Sequence, residues 1–231
     1  MTSRQLILDL PYEPQLTRDD FLVTPANEAA ANAIDHWPNW PNRVQILTGP
    51  EGSGKTHLAR AWADISQASL ITPKELTIEA VPQLMANKAL LIEDMGPALF
   101  SEKALFHLIN HAREISGFIL LTSRLAPEAW NVALPDLASR LKAAGLAKLG
   151  APDDGLLRGV LVKLFADRQL AVDEASISYI LSRMERSLGM ARTLVAAIDR
   201  QAFEEKAEIT RPFIARVLAQ ISPPGPFAEP S

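Results

Sequence analysis

Apolar and polar positions follow two rhythms in the first two thirds of the chain. Short apolar runs, typical of buried strands, alternate with longer segments in which apolar residues recur every three or four positions. Strands that alternate with helices predict an α/β fold, with a parallel sheet flanked by helices. The predicted strands are 44–47, 68–71, 89–92, 118–121 and 146–149, and the predicted helices are 55–66, 101–115 and 135–144, with one more from near Pro25 to just before Pro38.

The rhythm changes near residue 151. Beyond it the pattern contains no strand signal and predicts four helices, at 153–168, 173–186, 189–206 and 211–221. Asp173 is suited to the N-cap of the second helix, and Gly189 is a position at which the chain can break between helices. We therefore predict an α/β nucleotide-binding domain over 21–151 and a small all-α lid domain over 152–221.

The two ends of the chain have compositions of their own. Residues 1–20 are predicted to be an extended arm, because their apolar residues are followed by Pro11 and Pro14, which disfavour helix. These apolar side chains fit either an edge strand on the protein's own surface or a short linear motif for a partner, with Gln5 as a polar anchor. Residues 222–231 are proline-rich, and this composition predicts disorder.

Composition narrows the classes of function. The 231 residues have a formal net charge of −4, which argues against broad nucleic-acid binding by charge alone but leaves a local basic face open. The absence of cysteine excludes disulfides, thiol catalysis and cysteine-based zinc sites. The N-terminus lacks the features of a signal peptide, and no apolar stretch approaches the ~18 residues of a membrane span. We expect a soluble, cytoplasmic protein without membrane contact.

The segment after the first predicted strand carries the strongest chemical signal. Its spacing is G-x-x-x-x-G-K-T, in which glycines let backbone N–H groups converge on phosphate oxygens. Lys55 can reach the β- and γ-phosphates, the Thr56 hydroxyl can bind Mg²⁺, and the following helix directs its positive end to the same place. We predict a nucleotide site formed by Gly49, Pro50, Glu51, Gly52, Ser53, Gly54, Lys55, Thr56 and His57.

Two acidic residues, Glu93 and Asp94, follow the third predicted strand. At the end of a strand, one carboxylate can orient the water shell of Mg²⁺ and the other can position an attacking water. Together with Thr56 they are the predicted metal ligands. His107 and His111 share a helix face, but without a further ligand in the sequence pattern we interpret them as surface or packing residues.

Taken in order, these motifs resemble those of the AAA-plus ATPases, and within them the DnaA family with its short regulatory inactivators of the Hda type. The resemblance covers about residues 21–221, through FLVTPANEAAANA, TGPEGSGKTHL, LLIEDM, FILLTSRLAPEAW, LPDLASRL and GMARTLVAAIDR. LPDLASRL resembles the segment that carries the arginine finger, which implies that Arg140 acts on the active site of a neighbouring subunit. GMARTLVAAIDR resembles the start of the sensor 2 helix, which implies a nucleotide contact for Arg192.

The N-terminal segment QLILDL resembles the clamp-binding hexapeptide of the short inactivators. The resemblance implies contacts with the DNA polymerase sliding clamp through Gln5, Leu6, Leu8 and Leu10. Initiators of this family also have an N-terminal oligomerisation domain and a C-terminal helix-turn-helix, for which we expect no room in this span. The implied function is that of a clamp-associated regulator, binding ADP or ATP with Mg²⁺, which makes DnaA hydrolyse its ATP and so prevents re-initiation.

Three positions depart from the family pattern. Glu93 stands where initiators usually have aspartate, and this longer side chain predicts weak intrinsic ATP hydrolysis. Arg124 replaces an acid of many initiators, and the flanks of Arg158 match poorly, so the sequence assigns neither a role.

A helicase loader acting on single-stranded DNA and a small-molecule kinase are the alternative functions, although the kinase would leave the sensor and finger arginines idle. We expect DNA contact to be indirect or weak, and self-association stays open.

Overall fold

A computed structural model describes residues 16–221 of the chain. Five strands form one parallel sheet in the order β2-β3-β4-β1-β5. They are β1 Val44–Thr48, β2 Ser69–Ile71, β3 Ala89–Met95, β4 Phe118–Ser123 and β5 Gly145–Lys148. Each strand overlaps its predicted range, and the predicted parallel α/β architecture is confirmed.

Helices connect these strands. They are α1 Glu28–Asp35, α2 Lys55–Ser66, α3 Val81–Leu84, α4 Glu102–Glu114 and α5 Pro135–Lys142. The link between β2 and β3 contains only α3 and a 3₁₀ turn at Pro73–Glu75. α4 begins where the Ser101 side chain accepts a hydrogen bond from the Ala104 N–H, which satisfies one free amide of the first turn.

Both faces of the sheet are covered by helices, as is usual for parallel sheets. In β3, Leu90 and Ile92 pack with α3, α4 and α5, whereas Leu91 packs on the other face with α1 and α2. An aromatic group closes this second face, with ring centroids 4.9–6.5 Å apart between neighbours, and it consists of Trp37, Trp40, Trp62 and Phe118. The sheet is therefore a rigid platform whose strand ends hold the site residues.

Four helices follow the sheet, one for each of the four that the sequence predicts, although the second ends at Leu181 and not at residue 186. They are α6 Asp154–Asp167, α7 Glu174–Leu181, α8 Leu188–Glu205 and α9 Arg211–Ile221. They pack around an apolar core of their own, in which Leu161, Ile180, Leu194 and Ile214 are fully buried. The boundary that the sequence predicts after residue 151 lies in the link between β5 and α6.

The starts of these helices test two sequence predictions. Asp173 caps α7, because its side chain accepts a hydrogen bond from the Ser176 N–H at 2.7 Å, and this prediction is confirmed. The prediction that Gly189 separates two helices is wrong, since it is the second residue of α8. The Ser187 side chain accepts from the Met190 N–H at 2.9 Å and starts the helix ahead of that glycine.

Within residues 16–221, no helix combines the length and the apolar character needed to cross a membrane. The predicted clamp-binding residues Gln5, Leu6, Leu8 and Leu10 lie outside the described residues, as does the proline-rich segment 222–231. Clamp binding by the first group and disorder of the second therefore stay predictions.

Candidate nucleotide-binding site

The phosphate loop, residues 49–54, links the carboxyl end of β1 to α2. Gly52 and Gly54 have φ angles of +72° and +96°, which residues with a side chain rarely adopt. The C-terminal helices also touch the loop, because the Leu188 N–H donates to the Gly52 carbonyl at 3.0 Å. A Cβ at Gly52 would lie 2.3 Å from the Cβ of Ser187, so both conformation and contact require glycine there.

Lys55, the first residue of α2, is only 7% exposed. Its Nζ donates to the carbonyl oxygens of Gly49 and Pro50 at 2.9 and 2.8 Å, and these are its hydrogen-bond partners within residues 16–221. Burial lowers the pKa of this ammonium group, whereas the nearby Asp94 carboxylate opposes that shift. A buried cation that is paired with carbonyl dipoles, and not with a carboxylate, is suited to bind an anion.

The amino end of α2 adds further donors. Gly54 occupies the N-cap position, and no side chain caps the first turn. The Ser53 hydroxyl is buried and has no hydrogen-bond partner in the described part of the chain. Free N–H groups, an unsatisfied hydroxyl and the positive end of the helix dipole all favour phosphate oxygens. The residues present therefore fit the phosphates of a nucleotide.

Asp94 and Glu93, at the end of β3, have different surroundings. Asp94 is exposed at an irregularity of the strand, with a φ of +59°, and its N–H donates to Thr122 Oγ1 at 3.0 Å. Glu93 is half-buried, and its Oε2 accepts a hydrogen bond from Arg60 Nη2 of α2 at 3.1 Å. The Glu93 Oε1 is buried without a partner among residues 16–221. Asp94 is thus the more available carboxylate of the two.

Thr56 and Asp94 both lie exposed at the carboxyl edge of the sheet. Their side chains offer the oxygen ligands that Mg²⁺ prefers. Residues 16–221 contain no group of three or more histidine or acidic side chains that could hold a metal. A Mg²⁺ ion at this edge would depend on phosphate oxygens and water for the rest of its coordination, as is usual for this ion. His107 and His111 stack on each other, with ring centroids 6.5 Å apart, and belong to no such group.

The C-terminal helices contribute a second cation. Arg192 of α8 is half-buried, and its Nη2 donates to Nδ1 of His57 at 2.5 Å. Burial lowers the pKa of the Arg192 guanidinium, whereas the Asp20 carboxylate raises it. No carboxylate within residues 16–221 forms a hydrogen bond with Arg192. Because His57 lies two residues after Lys55 on α2, this second cation belongs to the same edge of the sheet.

The sequence assigns His57 to the nucleotide, but its ring has other contacts. It is 4% exposed, its Nε2 lies 2.9 Å from the Thr17 carbonyl, and it meets the Phe21 ring at 5.3 Å between centroids. Burial lowers the pKa of this imidazole and Arg192 acts in the same direction, while the Thr17 hydrogen bond and Asp20 oppose them. His57 therefore lies between α8 and the segment that precedes α1.

Arg140 lies at the opposite, amino edge of the sheet. Its helix α5 leads into the start of β5, and the Ala143 carbonyl accepts a hydrogen bond from Asn42, two residues before β1. The guanidinium carbon lies 5.1 Å from the centroid of the Phe106 ring. Arg140 and Arg113 line a cavity of about 420 Å³ at this edge. Arg140 is therefore remote from the phosphate loop of its own chain.

Three further arginines have contacts that the sequence did not indicate. Arg124 follows β4 directly and pairs with Glu51 of the phosphate loop, with 2.6 Å between Nη1 and Oε2. Arg158 of α6 pairs with Glu174 of α7, inside the group of C-terminal helices and not at the phosphate loop. Arg60, which donates to Glu93, lies four residues after Thr56 on α2, and this helical spacing is the one feature of the sequence that could have identified it.

Comparison with known proteins finds solved structures that resemble this chain in fold. No family model matches the chain. Domain III of the Thermotoga maritima replication initiation protein DnaA is 19% identical with a TM-score of 0.75, over 91% of this chain and 98% of that one. AMPPCP-bound DnaA from Aquifex aeolicus is 18% identical with a TM-score of 0.67, over 83% and 67%. A variant of RuvB from Thermotoga maritima is 16% identical with a TM-score of 0.69, over 90% and 72%.

These similarities establish the class of fold. The chain has the AAA-plus fold found in DnaA and RuvB, with a parallel sheet of five strands flanked by helices and followed by C-terminal helices. The predicted AAA-plus architecture is confirmed at this level.

Proposed function

We propose that the protein binds ADP or ATP, with Mg²⁺, at the phosphate loop. The observation that carries this proposal is the presence of two cations, Lys55 from α2 and Arg192 from α8, without carboxylate partners among residues 16–221. Both favour a polyphosphate, and the bound Mg²⁺ would neutralise part of its charge. Since Arg192 belongs to α8, bound nucleotide would bias the position of the C-terminal helices relative to the sheet.

The role that we propose for this nucleotide-binding protein is regulatory: it stimulates hydrolysis of the ATP that is bound to DnaA. The position of Arg140 supports this role, because the side chain lies beside an open cavity at the edge opposite its own phosphate loop. An arginine that a neighbouring subunit supplies can stabilise the charge that develops on the transferred phosphoryl group. The proposal includes weak intrinsic hydrolysis, and the hydrogen bond from Arg60 to one oxygen of Glu93 supports this part of it.

The sliding clamp is the second proposed partner, bound through Gln5, Leu6, Leu8 and Leu10. The support is the resemblance of QLILDL to a clamp-binding hexapeptide. Replacing Gln5 and Leu6 together by alanine should abolish clamp binding and leave ADP binding unchanged, because the nucleotide site uses none of these residues. A pull-down on DNA-loaded clamp, beside an ADP titration, measures both. Clamp binding that survives the double substitution would show that the arm is not the docking segment.

The decisive experiment measures single-turnover hydrolysis of ATP that has been loaded onto DnaA. Hydrolysis is followed with and without this protein and with and without DNA-loaded clamp. The proposal predicts acceleration only when both are present. An unchanged DnaA rate under all four conditions would end the regulatory proposal while leaving nucleotide binding untouched.

A DNA-remodelling ATPase, such as a helicase loader, is the second candidate. The likeness to RuvB, described as a Holliday junction branch migration motor, favours this class. It predicts binding of single-stranded DNA and ATP turnover by the isolated protein near the enzyme median of about 10 s⁻¹. The regulatory proposal predicts neither, so a filter-binding assay and a steady-state ATPase assay distinguish the two.

A further inference from the structure

His57 connects three parts of the molecule that are distant in sequence. Its Nδ1 accepts a hydrogen bond from Arg192 Nη2 at 2.5 Å, and its Nε2 contacts the Thr17 carbonyl at 2.9 Å. A carbonyl oxygen can only accept, so Nε2 must carry a hydrogen and donate it. A guanidinium can only donate, so Nδ1 must offer its lone pair. The two contacts together fix a neutral imidazole with its proton on Nε2.

The partners of His57 also fix its position. The residue is part of α2 and is 4% exposed, and the Phe21 ring stands at 88° to its imidazole with centroids 5.3 Å apart. The acceptor atom is therefore held from two sides, by the helix that begins at the phosphate loop and by the segment ahead of α1. An arginine that binds to such a fixed acceptor loses its rotational freedom before any ligand arrives.

We propose that His57 is a positioning residue, which binds one nitrogen of Arg192 and so presents the rest of the guanidinium to the nucleotide phosphates. This inference rests on the proposed nucleotide binding. Arg192 has five N–H donors, and the contact with His57 is its only side-chain hydrogen bond within residues 16–221. The remaining donors on Nε and Nη1 are available to an anion, so His57 and a phosphate can bind Arg192 at the same time.

The test is a titration of the full chain with fluorescent ADP, for a set of variants that separates packing from hydrogen bonding. Arg192→Ala should weaken ADP binding about 10- to 100-fold, the range for a hydrogen bond to a charged group. His57→Phe keeps a ring against Phe21 but removes the acceptor, and we expect it to lose most of the same affinity. His57→Gln has both an amide donor and a carbonyl acceptor, and we expect it to restore most of the affinity.

The double variant His57→Phe with Arg192→Ala provides the second readout. His57 is proposed to act only through Arg192, so both substitutions remove the same interaction with the nucleotide. We therefore expect the double variant to bind ADP no more weakly than Arg192→Ala alone. Additive losses, or an affinity of His57→Phe equal to or tighter than that of the wild type, would overturn the positioning role. Thermal unfolding verifies that each variant is folded, and if the phenylalanine variant is not, His57→Leu, which also lacks a hydrogen-bond acceptor, takes its place under the same criterion.

The outcomes also separate this inference from the proposal beneath it. If the wild type does not bind ADP, or if Lys55→Ala binds it equally well, the nucleotide site itself is wrong and the positioning role falls with it. If Lys55→Ala and Arg192→Ala both bind poorly while His57→Phe binds normally, the nucleotide site stands and only the positioning role is refuted.

Discussion

The two edges of the parallel sheet hold their arginines in different ways. At the carboxyl edge, Arg192 is half-buried and bonded to His57, a residue of the helix that begins at the phosphate loop. At the amino edge, Arg140 lies over the Phe106 ring beside an open cavity of about 420 Å³. The first arrangement completes a site within one chain. The second leaves an arginine on a surface that its own phosphate loop cannot use, which supports the proposal of a site shared with another molecule.

The helices also differ in how they begin, since some have a side-chain cap and others have none. α6, α7 and α8 each begin with a side-chain cap, from Asp153, Asp173 and Ser187. α2 begins at Gly54 without one, as α1, α3 and α5 also do, so its first N–H groups have no side-chain partner. Giving up a cap costs stability that a bound phosphate can restore. The uncapped helix is therefore consistent with a ligand at the carboxyl edge.

The largest expected effect comes from removing the arginine of the amino edge. Arg140→Ala should abolish the proposed acceleration of DnaA's ATP hydrolysis, a loss of about 10³–10⁵-fold if the residue acts as an arginine finger. Arg140→Lys should rescue poorly, because an ammonium cannot reproduce the planar fork of a guanidinium. Single-turnover hydrolysis with DNA-loaded clamp measures both variants.

Arg113→Ala is the matched control, since it removes the same charge from the same cavity. We expect it to keep most of the stimulation. ADP affinity should be unchanged in all three variants, because Arg140 is remote from the phosphate loop of its own chain. A large loss of ADP affinity in Arg140→Ala would place this arginine in its own site and remove the contrast between the two edges.

The second prediction concerns the carboxyl edge. Lys55→Ala should weaken ADP and ATP binding by about 10- to 100-fold or more, since hydrogen bonds to charged groups contribute about 1.5–3 kcal/mol each. Titration with fluorescent nucleotides measures the change. Lys74→Ala, an exposed lysine of the 3₁₀ turn after β2, is the control and should bind as the wild type does. Equal affinities for the two variants would mean that the phosphates bind elsewhere.

The third prediction tests the contact between the phosphate loop and α8. Gly52→Ala introduces a Cβ 2.3 Å from that of Ser187, at a φ of +72°. The cost is about 1–3 kcal/mol of unfolding free energy from backbone strain alone, and ADP affinity should fall as α8 is displaced. Gly150→Ala is the control, because its Cβ would have no atom within 4 Å. Urea unfolding and ADP titration follow both, and an unaffected Gly52→Ala would show that the contact is dispensable.

Much of the fold could be predicted because it depends on local patterns. The range 55–66 of α2 and the starts of β1, β3 and β4 agree with the apolar periodicity that predicts them. Gly189 shows the limit of such reasoning. A glycine favours a helix break by local propensity, but the Ser187 cap and the hydrogen bond from Leu188 to the phosphate loop start α8 earlier.

The candidate site likewise contains residues that could be predicted from the sequence and contacts that could not. Lys55 and its loop could be predicted because the motif is contiguous, and the backbone alone brings its parts together. The Thr17 and Arg192 contacts of His57 span 40 and 135 residues of sequence, and only the packing of three separate segments creates them. The pairing of Arg124 with Glu51 likewise needs β1 and β4 to be neighbours in the sheet.

The smallest expected effect comes from the ion pair between Arg124 and Glu51 at the carboxyl edge. Arg124 and Glu51 are 61% and 74% exposed, so their ion pair should contribute less than about 1 kcal/mol to stability. Arg124→Ala should therefore barely change urea unfolding, and it should weaken ADP binding far less than Lys55→Ala does. Glu51→Gln provides the complementary test, because it frees Arg124 while keeping the shape of its partner. If Arg124→Ala lost as much affinity as Lys55→Ala, and Glu51→Gln gained affinity, Arg124 would be a direct phosphate ligand that Glu51 restrains, and the carboxyl edge would hold three nucleotide cations where we infer two.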